Sequence, residues 1–134
     1  MSRFQLILPL GLTDANITAV DWESTRISRL DISSTHLSSE ALINVLTRAP
    51  VLKFLAADHC ENFNDVVLKT YLASGKMEAL EALDLSNCDY LTADSIGAMI
   101  KHVGANLEGL ALTGNVHLGE QFWTNNIPAL GRAK

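Results

Sequence analysis

The chain has 134 residues, a length that suits one domain and buries roughly two thirds of the unfolded surface without disulfide or metal staples. Hydrophobic residues make up 48% and charged residues 19%, a balance that excludes a disordered chain. A formal charge of −5 argues against a broad nucleic-acid or acidic-membrane surface, and two cysteines are too few for a disulfide framework and fit a reducing compartment, cytoplasmic or nuclear.

At the N-terminus, Met1 to Leu12 (MSRFQLILPLGL) carries one basic residue and a short apolar run that Pro9 and Gly11 interrupt. No small-x-small cleavage site follows cleanly, so a buried edge segment is expected rather than a signal peptide. No stretch approaches the ~18 to 20 apolar residues of a membrane span, so a soluble chain with no membrane partner is expected.

Four segments then align with one another. They begin at Ile27, Leu52, Leu80 and Leu107, spaced by 25, 28 and 27 residues. Each opens with three apolar positions: Ile27/Leu30/Ile32, Leu52/Leu55/Ala57, Leu80/Leu83/Leu85 and Leu107/Leu110/Leu112. Next come Thr35, Cys60, Cys88 and Asn115, and then Leu37, Phe63, Leu91 and Leu118. Such self-similarity at a fixed period marks a repeat architecture.

Inside each opening the apolar period is 2, which predicts a short strand. The spacing then turns helical, at Ala41/Leu42/Val45/Leu46, Val67/Leu68/Tyr71/Leu72 and Ile96/Met99/Ile100/Val103. Ser38 or Ser39, Asn64 or Asp65, and Thr92 or Asp94 are the expected N-caps. Pro50, Gly75 and Gly104 sit where helices should stop. One such unit cannot bury both of its apolar faces, so neighbours must stack into a solenoid. The surplus of leucine, 21 residues, is accounted for by these ladder positions.

The units resemble leucine-rich repeats, specifically the cysteine-containing kind of F-box/leucine-rich-repeat proteins, whose unit reads approximately L-x-x-L-x-L-x-x-C-x-x-[IL]-T-D-x-x-[IL]. Leu80 to Ile96 (LEALDLSNCDYLTADSI) matches with one extra residue between Thr92 and Asp94. Leu52 to Leu68 keeps Cys60 and Asp65 but has Ala57 in a leucine slot, while Thr35 and Asn115 replace the cysteine in the first and last units. The resemblance implies an α/β solenoid, with a short parallel sheet on the concave face and helices on the convex face. Residues 1–24 are then an N-terminal cap or edge segment. Residues 25–134 hold about four repeats and the start of a fifth or a C-terminal cap, which Ile127-PALGRAK would begin. An F-box, a separate helical segment that docks a ubiquitin-ligase adaptor, is not visible in this chain.

Catalytic motifs are absent from the sequence, and no enzyme activity is expected. Cys60 and Cys88 occupy equivalent positions of adjacent units, but a zinc site needs four ligands and the neighbouring positions are Thr35 and Asn115. All four are expected to fill the tight turn and bond backbone amides. His36, His59, His102 and His117 make no metal-binding spacing, so no metal and no cofactor are expected. Trp22 and Trp123 are expected to seal the ends of the core.

The concave face is the expected working surface. Register places Arg29, Phe54, Ala82 and Gly109 in one column, Asp31, Ala56, Asp84 and Ala111 in the next, and Ser33, Asp58, Ser86 and Thr113 in a third. Phe54 is a large apolar residue at an expected exposed position. Asp31, Asp58 and Asp84 form an acidic band that Glu61 and Asp89 extend. Arg29, Asp31, Phe54, Asp58, Glu61, Asp84 and Asp89 are therefore the candidate partner-binding residues. Their charge fits another protein with a basic surface or peptide, not nucleic acid. The expected function is a non-catalytic interaction module, which the family resemblance extends to substrate recognition in a ubiquitin-ligase-type assembly. The alternative is a stand-alone scaffold or assembly factor.

Overall fold

The computed structural model describes residues 4–115 and 117–130. Its short period-2 segments form five strands, β1 (Phe4–Ile7), β2 (Ile27–Asp31), β3 (Phe54–Ala56), β4 (Ala82–Asp84) and β5 (Gly109–Ala111). A helix follows each strand: α1 (Asp14–Thr18), α2 (Ser39–Arg48), α3 (Asp65–Ala73), α4 (Ala93–Val103) and α5 (Glu120–Asn126). All neighbouring strands pair in parallel, in the chain order β1-β2-β3-β4-β5. Leu30 lies opposite Leu55, Leu55 opposite Leu83 and Leu83 opposite Leu110, as the repeat alignment requires. Each helix likewise packs against the next helix in the chain. The segment before the first clear repeat supplies β1 and α1, with Leu6 opposite Leu30, so it is a strand–helix pair of the same sheet.

Polar side chains set the helix boundaries. Ser38, Asn64 and Thr92 accept from the backbone N–H groups of Ala41, Val67 and Ser95, so the first residue of each candidate pair is the N-cap. The chain turns extended at Ala49, just before Pro50, and Gly75 takes the left-handed conformation (φ +79°) that ends α3. Gly104 works differently from the expected glycine stop. Its φ is −59° and it leads α4 into a 3-10 turn. A side chain there would approach the Ala129 carbonyl oxygen to 3.1 Å, so close packing is what requires glycine.

The inward faces of strands and helices share one apolar core, in which Leu30, Leu55, Val45, Val67, Met99 and Ile100 are fully enclosed. Burial of each such side chain contributes about 1.5–3 kcal/mol. Trp22 is buried at the N-terminal end, its indole Nε1 donating to the Ile17 carbonyl at 2.9 Å. At the other end Phe122 is buried, and the half-buried Trp123 meets it edge-to-face at 5.0 Å.

The strand ends are locked by a series of buried turns. Ser34, His59, Asn87 and Gly114 stand at equivalent places and all have positive φ, from 57° to 81°. The residues after them are Thr35, Cys60, Cys88 and Asn115, all buried. Besides the expected amide contacts, these side chains donate to carbonyls. Cys60 Sγ reaches the Ile32 carbonyl at 2.9 Å, Cys88 Sγ the Ala57 carbonyl at 3.1 Å, and Asn115 Nδ2 the Leu85 carbonyl at 3.0 Å. Thr35 donates to Ile32 within its own unit, Asn115 also accepts from the Cys88 amide, and backbone amides of Thr35 and Ser34 face the Cys60 thiol as that of Cys60 faces the Cys88 thiol. Parallel strands leave these carbonyls pointing at the next unit inside the core, where an unpaired oxygen is costly and these side-chain donors help to satisfy it.

Polar contacts also join the helices. Asp14 accepts from Ser38 N–H, and Asp65 accepts from both Thr92 N–H (2.9 Å) and Thr92 Oγ1 (2.8 Å). Arg48 donates to both oxygens of Glu23 and to the carbonyls of Thr18 and Val20, fastening α2 to the segment before β2. This hydrogen bonding holds the Glu23 carboxyl down at about 2.

Tyr71 is 1% exposed, and among the described residues its hydroxyl has no hydrogen-bond partner. Because an unpaired buried hydroxyl is destabilising, Tyr71→Phe is expected to raise stability by about 1 kcal/mol in urea unfolding; a loss of stability would contradict this. Partial burial pushes the Asp65 carboxyl up, but the two Thr92 bonds outweigh it and hold the group below its ordinary 3.8. A carboxylate lowered on folding stabilises above 3.8, and that contribution vanishes as pH falls through the folded value. Asp65→Asn should therefore melt below the parent at pH 7, with the gap closing as pH falls below 3.8; a gap independent of pH would refute the assignment.

Candidate functional site

Alternation along the strands sends Leu30, Leu55 and Leu83 into the core and their neighbours to the opposite face of the sheet. There the register forms one column of Gln5, Arg29, Phe54, Ala82 and Gly109. A second column holds Ile7, Asp31, Ala56, Asp84 and Ala111. Beyond the strand ends, Asp58 N–H donates to Ser33 Oγ at 3.0 Å and Thr113 N–H to Ser86 Oγ at 3.1 Å, which aligns the third column. Pairing continues there through Ser34 N–H to the Asp58 carbonyl and Asn87 N–H to the Thr113 carbonyl. The face is thus built by the same register that packs the core.

Phe54 is half-buried rather than open, because the Arg29 guanidinium carbon lies 4.7 Å from the ring centroid and covers one ring face. Ala56 and Ser86 are nearly closed off, since short side chains between larger neighbours do not reach solvent. Next to Phe54 the strands of the third and fourth units, β4 and β5, carry little bulk. Ala82, Gly109 and Ala111 floor a shallow depression of about 280 Å³, which Phe54, Asp84 and Leu110 also line.

The acidic residues do not form a single row. Asp31 and Asp84 stand in the second column with Ala56 between them, whereas Asp58 stands in the third. Asp31 Oδ1 accepts from Ser33 N–H and Asp84 Oδ1 from Ser86 N–H, both at 2.9 Å, so each closes a turn two residues ahead. Asp58 Oδ1 accepts from Asn87 Nδ2 at 3.0 Å and lies 2.8 Å from His59 Nδ1. Glu61 Oε1 lies 3.4 Å from His36 Nδ1, and Asp89 is exposed in the following unit. Asp31 and Asp84 therefore hold the backbone and present charge at once. Reversing their charge would perturb the turn as well as the field, whereas asparagine keeps the acceptor.

Two face residues escaped sequence reading. Gln5 and Ile7 extend the columns onto β1, and Ile7 is 61% exposed. The Leu6-Ile7-Leu8 alternation was their only signal, masked because Ile7 is as apolar as its inward neighbours.

The remaining candidates do not converge on a reactive centre. Desolvation raises both thiols, that of Cys88 to about 12, which keeps them protonated as donors. His102 pairs with Glu78 at 3.1 Å, and His117 is exposed. Among the described residues, no three His, Cys, Asp or Glu gather as a metal site. No described helix is long and apolar enough to cross a membrane.

No protein-family model matches the chain, and no curated protein sequence does. In structure it is similar to a chain of the crystal structure of the Rad7 and Elc1 complex in yeast, with a TM-score of 0.70 and 19% sequence identity. The likeness covers 90% of this chain and 31% of that one, and it is a likeness of fold.

The double role of Asp84 has a measurable consequence. Asp84→Asn is expected to unfold within about 0.5 kcal/mol of the parent, whereas Asp84→Ala loses about 1 kcal/mol with the Ser86 N–H acceptor. Equal losses for the two in chemical denaturation would show that the turn bond contributes nothing.

Proposed function

We propose that the chain is a non-catalytic protein-interaction module. In this reading its strand–turn–helix units are leucine-rich repeats of the cysteine-containing kind, stacked as a solenoid with the sheet on the concave side. The partner is a protein that offers a basic surface or segment to the exposed sheet face.

The observation that carries this reading is the face itself. Five in-register strands present Ile7 and Phe54 as apolar contacts, with Arg29, Asp31, Asp58 and Asp84 distributed around them. Large side chains standing among satisfied polar groups on a rigid element suit a protein partner better than a reacting substrate. The charges are arranged for a counter-charged surface. The fold likeness to a chain crystallised in the Rad7 and Elc1 complex supports the same class of role. Substrate recognition in a ubiquitin-ligase-type assembly is the specific form that the F-box/leucine-rich-repeat resemblance suggests.

Affinity purification with the parent chain, Phe54→Ser and the triple variant Asp31→Asn/Asp58→Asn/Asp84→Asn tests the proposal. Both variants are expected to keep the parent's circular dichroism and to bind the captured partner at least tenfold more weakly, about 1.4 kcal/mol. Undiminished capture by both folded variants would remove the sheet face as the interaction surface. Copurification of a ubiquitin-ligase adaptor supports the specific form of the proposal.

A further inference from the structure

The depression beside Phe54 has chemistry more specific than a general docking face. Its floor is Ala82, Gly109 and Ala111, one wall is the Phe54 ring, and Asp84 is the carboxylate on its rim. Arg29 already lies on the β2 side of the ring, at 4.7 Å from its centroid, and the ring faces the depression from β3. An apolar floor, an aromatic wall and a single acid are what a long cationic side chain requires. Its methylene stem covers small apolar residues while its charged head meets the ring and the carboxylate. A purely apolar side chain would fill the same space but leave Asp84 without a counter-charge.

We infer that this depression is a subsite for one Lys or Arg side chain of the partner, an inference that rests on the interaction-module reading. Charge complementarity selects this occupant, since Asp84 lines the depression, Asp31 stands two strands away in the same column and Asp58 lies just past the end of β3, and together they outweigh the charge of Arg29. The size agrees as well, because about 280 Å³ admits one extended side chain together with its water.

The test is an amide NMR titration of the full chain with N-acetyl-arginine methylamide, run beside the straight-chain apolar N-acetyl-norleucine methylamide. The arginine probe should give saturable shifts centred on Ala82, Asp84, Gly109 and Ala111. Asp84→Asn, which keeps the turn acceptor, should weaken it at least fivefold. Gly109→Val should abolish it by filling the floor; the first added carbon meets Ala82 Cβ at an ordinary 3.7 Å, so the fold should tolerate the change. Equal binding of norleucine, arginine shifts scattered over Glu61 and Asp89, or full binding by Gly109→Val would each overturn the subsite. Capture of a partner that depends on Phe54, with no arginine binding, would defeat the subsite and leave the module reading standing. Arginine binding with no face-dependent partner would defeat the module reading instead.

Discussion

Register between neighbouring units is the constraint on which the structure depends, and buried side-chain donors at the strand ends enforce it. The three-residue strands are short, and backbone pairing beyond their ends shares the work of alignment with these side chains. The thiols of Cys60 and Cys88 and the amide of Asn115 each reach back to a carbonyl of the preceding unit, at 2.9 to 3.1 Å. A slip of one residue would break those bonds inside the core and turn every strand leucine toward solvent. Each penalty is on the order of 1–3 kcal/mol, and both fall on every unit at once. The left-handed residues at Ser34, His59, Asn87 and Gly114 serve the same end, since they turn the chain sharply enough to bring each donor under its strand.

Function inherits this register. Because Leu30, Leu55, Leu83 and Leu110 are aligned within the sheet, the residues between them are aligned on its other side. Arg29 meets Phe54 for that reason, and the same geometry leaves a depression where Ala82, Gly109 and Ala111 meet. Carboxylates on this face are not free decorations. Asp31 and Asp84 close backbone turns, and Asp58 is held by Asn87, so their charges are fixed in position before any partner arrives. Preorganised charge of this kind lowers the cost of association.

Support along the array is uneven. Central strand residues such as Leu30 and Leu55 are fully enclosed, whereas all three residues of β5 are only half-buried. Outside the sheet, Arg48 and Asp65 tie successive helical segments through bonds that the alignment of apolar positions does not reveal. Their residue types are ordinary for a surface, and sequence spacing gives no hint that they reach a neighbouring unit.

By itself, the sequence determined the recurring pattern of residues 27–118, its strand positions and central helices, a pair of N-cap candidates for each of those helices and the four-strand columns of the exposed face. Each of these follows from local periodicity, which is 2 in the strands and about 3.6 in the helices, recurring every 25 to 28 residues. Only the tertiary structure decided what those positions do. It covered Phe54 with Arg29, closed Ala56 and Ser86 from solvent, and brought Ile7 onto the working face. It also gave the cysteines carbonyl acceptors in the preceding unit and gave Gly104 a packing role against Ala129. The physical reason is common to all of them. Periodicity says which way a side chain points, but burial and partnership depend on the size and chemistry of residues some 25 positions away, which meet only when the units stack.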